Sequence, residues 1–174
     1  MNPEEGELRP QLLDRFGLAV EIGGLSEVSS RVQIIKRRLE FESDPQAFIQ
    51  QWSEAEQELA TRIANARELL PKVQIDDTDM AIVAGLAVDL GVDGHRADLA
   101  ILETARTHAA WSSRIRLTAE DIRLAAELAL PHRMRRQPFT EIKVDEARIG
   151  AALERSGQQA EGASNSDQVK KKMI

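Results

Sequence analysis

Apolar residues recur every three or four positions along most of this chain, and that spacing predicts helices. Val28, Val32, Ile35 and Leu39 repeat at helical intervals after Ser26, a residue able to cap a helix N-terminus. Asp44-Pro45 is a second start signal, a capping residue followed by proline at the first helical position. The helix it opens carries Phe48, Trp52, Leu59, Ile63, Ala66 and Leu70 along one side, and Pro71 stops it. Ile82, Val83, Leu86 and Leu90 form a third stripe, closed by Gly91. A fourth helix begins near Gly94, with Leu99, Leu102, Ala105 and Ala109 facing inward. Thr118 with Asp121 has the form of a capping box for a fifth helix, ending at Leu130-Pro131. Ahead of the helices, "GLAVEIGGL" (Gly17 to Leu25) is a short apolar run closed by Gly23-Gly24, and it predicts one buried strand. A lone strand has no ladder partner. Toward the other end, Ile142 to Arg155 reads as a weak helix, and the polar, small-residue-rich stretch 156–174 as a disordered tail.

Composition narrows the class. In 174 residues, 42% are hydrophobic and 30% charged, sufficient for the core of one ordinary domain, or of a small domain with appendages. Aromatics are only 3%, without tyrosine, so the core must be built from Leu, Ile, Val and Ala, which favours helices. The absence of cysteine excludes disulfides and thiolate metal sites. No stretch approaches the roughly 18 apolar residues of a membrane span, and no leader resembles a signal peptide, so a soluble, intracellular protein without a membrane partner is expected. With a net charge of −6, a nucleic-acid role would need a local basic patch.

His95, His108 and His132 have no spacing that gathers ligands on one face, and read as three independent surface or helix-end histidines; no metal site is expected. No serine sits in a Gly-x-Ser-x-Gly elbow. The acidic "PEEGE" near the start reads as a solvated loop. The basic "HRMRRQP" (His132 to Pro138) follows a helix C-terminus, where the dipole favours cations, and reads as helix termination and a protein contact rather than a nucleic-acid surface. Two arginines stand out. Arg15 lies between Asp14 and Phe16 at the mouth of the expected strand. Arg96 falls in the first turn of a helix, where a cation opposes the macrodipole at a cost of about 0.3–1 kcal/mol. Either an anion is bound there, since a helix N-terminus with an arginine makes a phosphate clamp, or Arg96 forms ordinary salt bridges to Asp93 or Asp98.

Three stretches carry a family resemblance. "MNPEEGELRPQLLDRFGL" resembles the segment after the fourth core strand in the ATPase I subunit of magnesium chelatase, an AAA+ protein; "DLGVDGHRADL" resembles its sensor 2 region, and "ALPHRMRRQPF" the segment after its lid. Their order and spacing agree, and the resemblance runs from Met1 to about Phe139. The related N-terminal half of the D subunit and the cobalt-chelatase ATPases are similar too. The resemblance implies a mainly α fold, the helical-bundle lid of an AAA+ ATPase with one residual strand from the α/β nucleotide-binding core. Residues 1–25 would be the end of the core, 26–139 the lid, 140–155 a weak helix and 156–174 the tail. It implies roles as well: Asn2 as the sensor 1 residue orienting water at the terminal phosphate, Arg15 as an arginine finger offered across a subunit interface, Asp14 as a setter of that interface, and Arg96 as the sensor 2 arginine.

The implied cofactors are ATP and Mg²⁺. The implied partners are further copies in an AAA+ ring, a D-type subunit and, indirectly, the porphyrin-binding large subunit. The implied function is an ATPase motor driving Mg²⁺ into protoporphyrin IX for (bacterio)chlorophyll synthesis, in the cytoplasm or a plastid stroma. No Gly-x-x-x-x-Gly-Lys-Ser/Thr occurs in the chain, and no acidic Walker B strand precedes Asn2. The expectation is therefore a C-terminal fragment, or a truncated reading frame, that does not hydrolyse ATP by itself. The alternatives are the motor of a cobalt chelatase, or a non-enzymatic lid module that docks onto an intact ATPase ring.

Overall fold

The computed structural model describes residues 12, 15–20, 22–92, 94–133, 149–155 and 157. Five helices carry the fold: α1 (Val28–Ser43), α2 (Pro45–Leu69), α3 (Asp77–Asp89), α4 (Arg96–Trp111) and α5 (Ala119–Ala129), with a 3₁₀ turn at Leu70–Lys72 after α2. Residues 149–155 are helical as well. The expected helix at 142–148 and nearly all of the expected tail lie outside the described residues. None of the described helices is long and apolar enough to cross a membrane.

The helix boundaries follow from local chemistry. The Asp44 carboxylate accepts from the Gln46 and Ala47 N–H groups, with Pro45 at the first helical position, so α2 starts where sequence placed it. Asp76 and Asp79 cap α3 reciprocally: Asp79 N–H donates to the Asp76 carboxylate at 2.9 Å, and Asp76 N–H to Asp79 at 3.0 Å. The end of α3 is a Schellman turn. Gly91, at φ 66°, donates to Val88 O and Val92 donates to Ala87 O. The end of α4 repeats the pattern with a serine in the left-handed position: Ser113, at φ 58°, donates to Ala110 O and Arg114 to Ala109 O. At α1 the cap is Glu27 rather than Ser26, and its carboxylate accepts from the hydroxyls of Ser29 and Ser30.

The main core lies among α3, α4, α5 and residues 149–155. Val83, Leu86 and Leu90 of the first meet Ala97, Ile101 and Ala105 of the second, Ile122, Ala125, Ala126 and Ala129 of the third, and Ile149 and Ala152. The alanines let α4 and α5 approach closely, since helix separation is set by the side chains at the contact. A smaller cluster of Val73, Ala109 and Ala110, with Leu69 and Leu70 against it, joins the end of α2 to α4. A parallel bridge between Gln74 and Arg116 ties the two connecting loops, with Gln74 N–H donating to Ile115 O at 2.9 Å. α1 packs on α2, and neither contains a fully buried residue.

Three expectations change. The strand at Gly17–Leu25 is not formed: its described residues are irregular, and Leu18, Val20, Ile22 and Leu25 are exposed. A strand persists only in a ladder, and among the described residues this run is tied instead by single hydrogen bonds, from Ala19 N–H to Leu128 O at 2.9 Å and from Arg133 and Arg31 to the carbonyls of Gly17 and Leu25. Leu99 points outward at 63% exposure, whereas Ile101 is fully buried. Val28, Val32, Ile35 and Leu39 keep their helical spacing on α1 but are all exposed, as are Leu59 and Ile63 on α2.

Candidate functional site

Antiparallel packing of α4 and α5 sets the frame. His108 meets Asp121 near the α4–α5 connection, while Ala100 and Leu128 line one groove further along. The start of α4 and the end of α5 therefore lie at the same end of the pair, and both arginines singled out in the sequence are attached there.

Arg96 is the first residue of α4 and is exposed. The residue at the cap position is His95, whose side chain makes no capping bond and whose Nδ1 lies 3.3 Å from Asp98 in the first turn. A helix N-terminus beside a guanidinium makes a donor set suited to an anion.

Arg15 is exposed in a turn, with its backbone N–H donating to Leu12 O at 3.1 Å. The next two peptide carbonyls are gripped from the far end of α5. One Nη of Arg133 donates to Gly17 O at 2.8 Å and to Ala129 O at 2.7 Å; the other donates to Phe16 O at 2.7 Å. His132 Nε2–H donates to Phe16 O at 2.9 Å. The basic stretch after α5 thus makes a protein contact at its first two residues, within the chain; its remainder, and Asn2 and Asp14, lie outside the described residues. Leu18, next along, closes a groove of about 470 Å³ against Ala100, Thr104, Trp111, Leu124 and Leu128.

At the opposite end of the pair sits a network that sequence reasoning missed. Asp121 is completely buried. Its carboxylate accepts both Nη groups of Arg114 at 2.6 Å, His108 Nδ1–H at 2.6 Å, and the N–H and hydroxyl of Thr118 at 2.7 Å. Burial pushes this carboxyl upward, but the bonds from Arg114, Thr118 and His108 outweigh it and hold its pKa well below the usual carboxylate range. Asp121 in turn raises the pKa of Arg114, so the pair stays charged. His108 is therefore part of a buried network and not an independent surface histidine. The only signal for this in the sequence was the Thr118/Asp121 capping pair.

Residues 80–152 match the AAA lid domain, with which the mainly helical fold agrees. Over most of its length the chain is similar to magnesium-chelatase subunits. It is 45% identical over 159 residues to a magnesium-chelatase subunit ChlI homolog of Methanocaldococcus jannaschii, covering 91% of this chain and 44% of that protein. It is 46% identical over 145 residues to the magnesium-chelatase 38 kDa subunit of Chlorobaculum tepidum, covering 83% of this chain and 37% of that one. An uncharacterised protein of Mycobacterium tuberculosis is 49% identical over 153 residues, 88% of this chain and 24% of its own length. The chain spans less than half the length of the curated relatives it matches.

Proposed function

We propose that this chain is the lid and arginine-finger portion of a magnesium-chelatase ATPase subunit, which works as an AAA+ ring with a D-type partner and couples ATP hydrolysis to insertion of Mg²⁺ into protoporphyrin IX. The observation that carries the reading is the 45–46% identity to chelatase subunits over 83–91% of the chain. Arg15 acts in trans as the finger, Asn2 as sensor 1, Asp14 at the interface and Arg96 as sensor 2.

The residues present fit part of an ATP site. The N-terminus of α4 with exposed Arg96 suits a phosphate, whereas the 174 residues contain no Gly-Lys loop to cradle one. Bound ATP with its Mg²⁺ supplies the phosphoryl group and neutralises part of its charge. What this chain supplies is two guanidinium groups on different sites of a ring. Arg96 approaches nucleotide held by its own subunit, and Arg15 approaches that of the neighbour, where positive charge stabilises the transition state for water attack. A finger of this kind is worth about a thousandfold or more in turnover, and it makes hydrolysis depend on assembly.

The test is to titrate this chain into an intact chelatase ring of one of the relatives and follow ATP turnover. The chain alone is expected to be silent, to alter the turnover of the ring, and to lose that effect in Arg15→Ala. An unaltered effect of Arg15→Ala overturns the finger assignment, and turnover by the chain alone overturns its lack of a complete site. Arg96→Ala is expected to weaken or uncouple nucleotide binding in the assembled ring, read with a fluorescent ATP analogue; unchanged affinity and rate would remove its sensor role.

A further inference from the structure

We infer that Arg133, with His132 beside it, is a positioning residue for Arg15: it fixes the turn carrying Arg15 to the end of α5, so that the lid helices decide where Arg15 is presented. The inference rests on the reading of Arg15 as the finger.

The geometry is specific to a guanidinium. One group bridges three carbonyl oxygens, that of Ala129 at the end of α5 and those of Phe16 and Gly17 immediately after Arg15, all within 2.7–2.8 Å. An arginine that merely capped α5 would need the Ala129 bond alone. Here the second Nη and the His132 ring are both directed at Phe16 O, across more than a hundred residues of sequence. Among the described residues of the segment, Phe16, Leu18 and Val20 are exposed, and Ala19 N–H to Leu128 O is a further backbone tie to α5. A turn held by few apolar contacts is oriented by its hydrogen bonds. Arg96 opens α4, the helix that shares a groove with Gly17, Leu18 and Leu128. A movement of the α4–α5 pair that follows nucleotide at Arg96 therefore carries the Arg15 turn with it, and what one subunit binds alters the finger offered to the next.

The experiment compares wild type, Arg133→Met, which keeps the stem and removes the donors, and Arg133→Lys, which restores a cation with fewer directed bonds. Amide exchange on the 174-residue chain is read first. Exchange at Ala19 is expected to accelerate about tenfold or more in Arg133→Met, with the amides of Ile101 and Ile122 unmoved, which shows that the bundle remains folded. In the titration into an intact chelatase ring, Arg133→Met is expected to lose the change in maximal turnover at an unchanged half-saturating concentration of chain, and Arg133→Lys to regain part of it. Unchanged Ala19 exchange, or a full turnover effect in Arg133→Met, overturns the inference. Arg15→Ala in parallel separates the two readings: an intact effect there removes the finger and this inference together, whereas an intact effect in Arg133→Met alone removes only the inference.

Discussion

Asp121 is the one fully buried charged residue among those described, and its environment fixes what its loss should do. Removing one member of such a network strands the others, so Asp121→Ala, which leaves Arg114 and His108 without their acceptor, is expected to lose about 3 kcal/mol in urea unfolding. The pH dependence has a definite sign. Because the folded pKa is depressed, the contribution of Asp121 is complete above the ordinary carboxylate value near 4 and is lost as pH falls from there through its lower folded value. Asp121→Asn should therefore be less stable at neutral pH and show a shallower loss on acidification. Ser113 points the other way: a side chain at φ 58° occupies a position glycine takes without strain, and Ser113→Gly is expected to stabilise the chain by about 1 kcal/mol in thermal unfolding. The capping half of the Asp121 network was legible, because Thr118 and Asp121 are three residues apart on one helix. Its other half was not, since His108 and Arg114 come from 13 and 7 residues away and arrive only through the packing of α4 on α5.

Helix starts and stops were readable because each is written in a few adjacent residues: Asp44-Pro45, Gly91 and the Thr118 box all stand where expected. Which face each helix buries was less readable. Periodicity names a stripe without naming its partner, and so Leu99 was set inward where Ile101 is the buried residue. The strand failed for a related reason, since apolar alternation cannot supply the neighbouring strand that a ladder requires. The α1–α2 hairpin has no fully buried residue and depends on local devices. Those are the Asp44 cap and the aromatic contacts among Phe41, Phe48 and Trp52, with ring centroids 5.7 and 6.1 Å apart. Asp44→Ala is expected to remove about 0.5–2 kcal/mol, seen as faster amide exchange in α1 and the first turns of α2 with α4 and α5 unaffected.

Across the whole molecule, α3, α4 and α5 close their core only with help from residues 149–155, where Ile149 and Ala152 are fully buried. Ile149→Ala is accordingly expected to cost about 2–5 kcal/mol, far more than its place in a weakly helical stretch suggests, and a melting temperature within error of wild type would contradict that role. At this scale the proposed site was legible as a pair of oddly placed arginines, and their family roles came from resemblance. The arginine and histidine that grip the Arg15 turn were read only as a generic protein contact, because their targets are backbone carbonyls, which carry no sequence signature. The arginine–indole stacks have a consequence of another kind. Arg37 lies 4.9 Å from the ring of Trp52 inside the hairpin, and Arg62 lies 3.8 Å from the ring of Trp111, where α2 meets α4. With two tryptophans and no tyrosine, the near-ultraviolet emission of the chain belongs to two indoles that watch different places. Trp52→Phe leaves a lamp at the junction of hairpin and bundle, and Trp111→Phe leaves one inside the hairpin, so detachment of the arm and melting of the lid separate by colour and intensity without any attached dye.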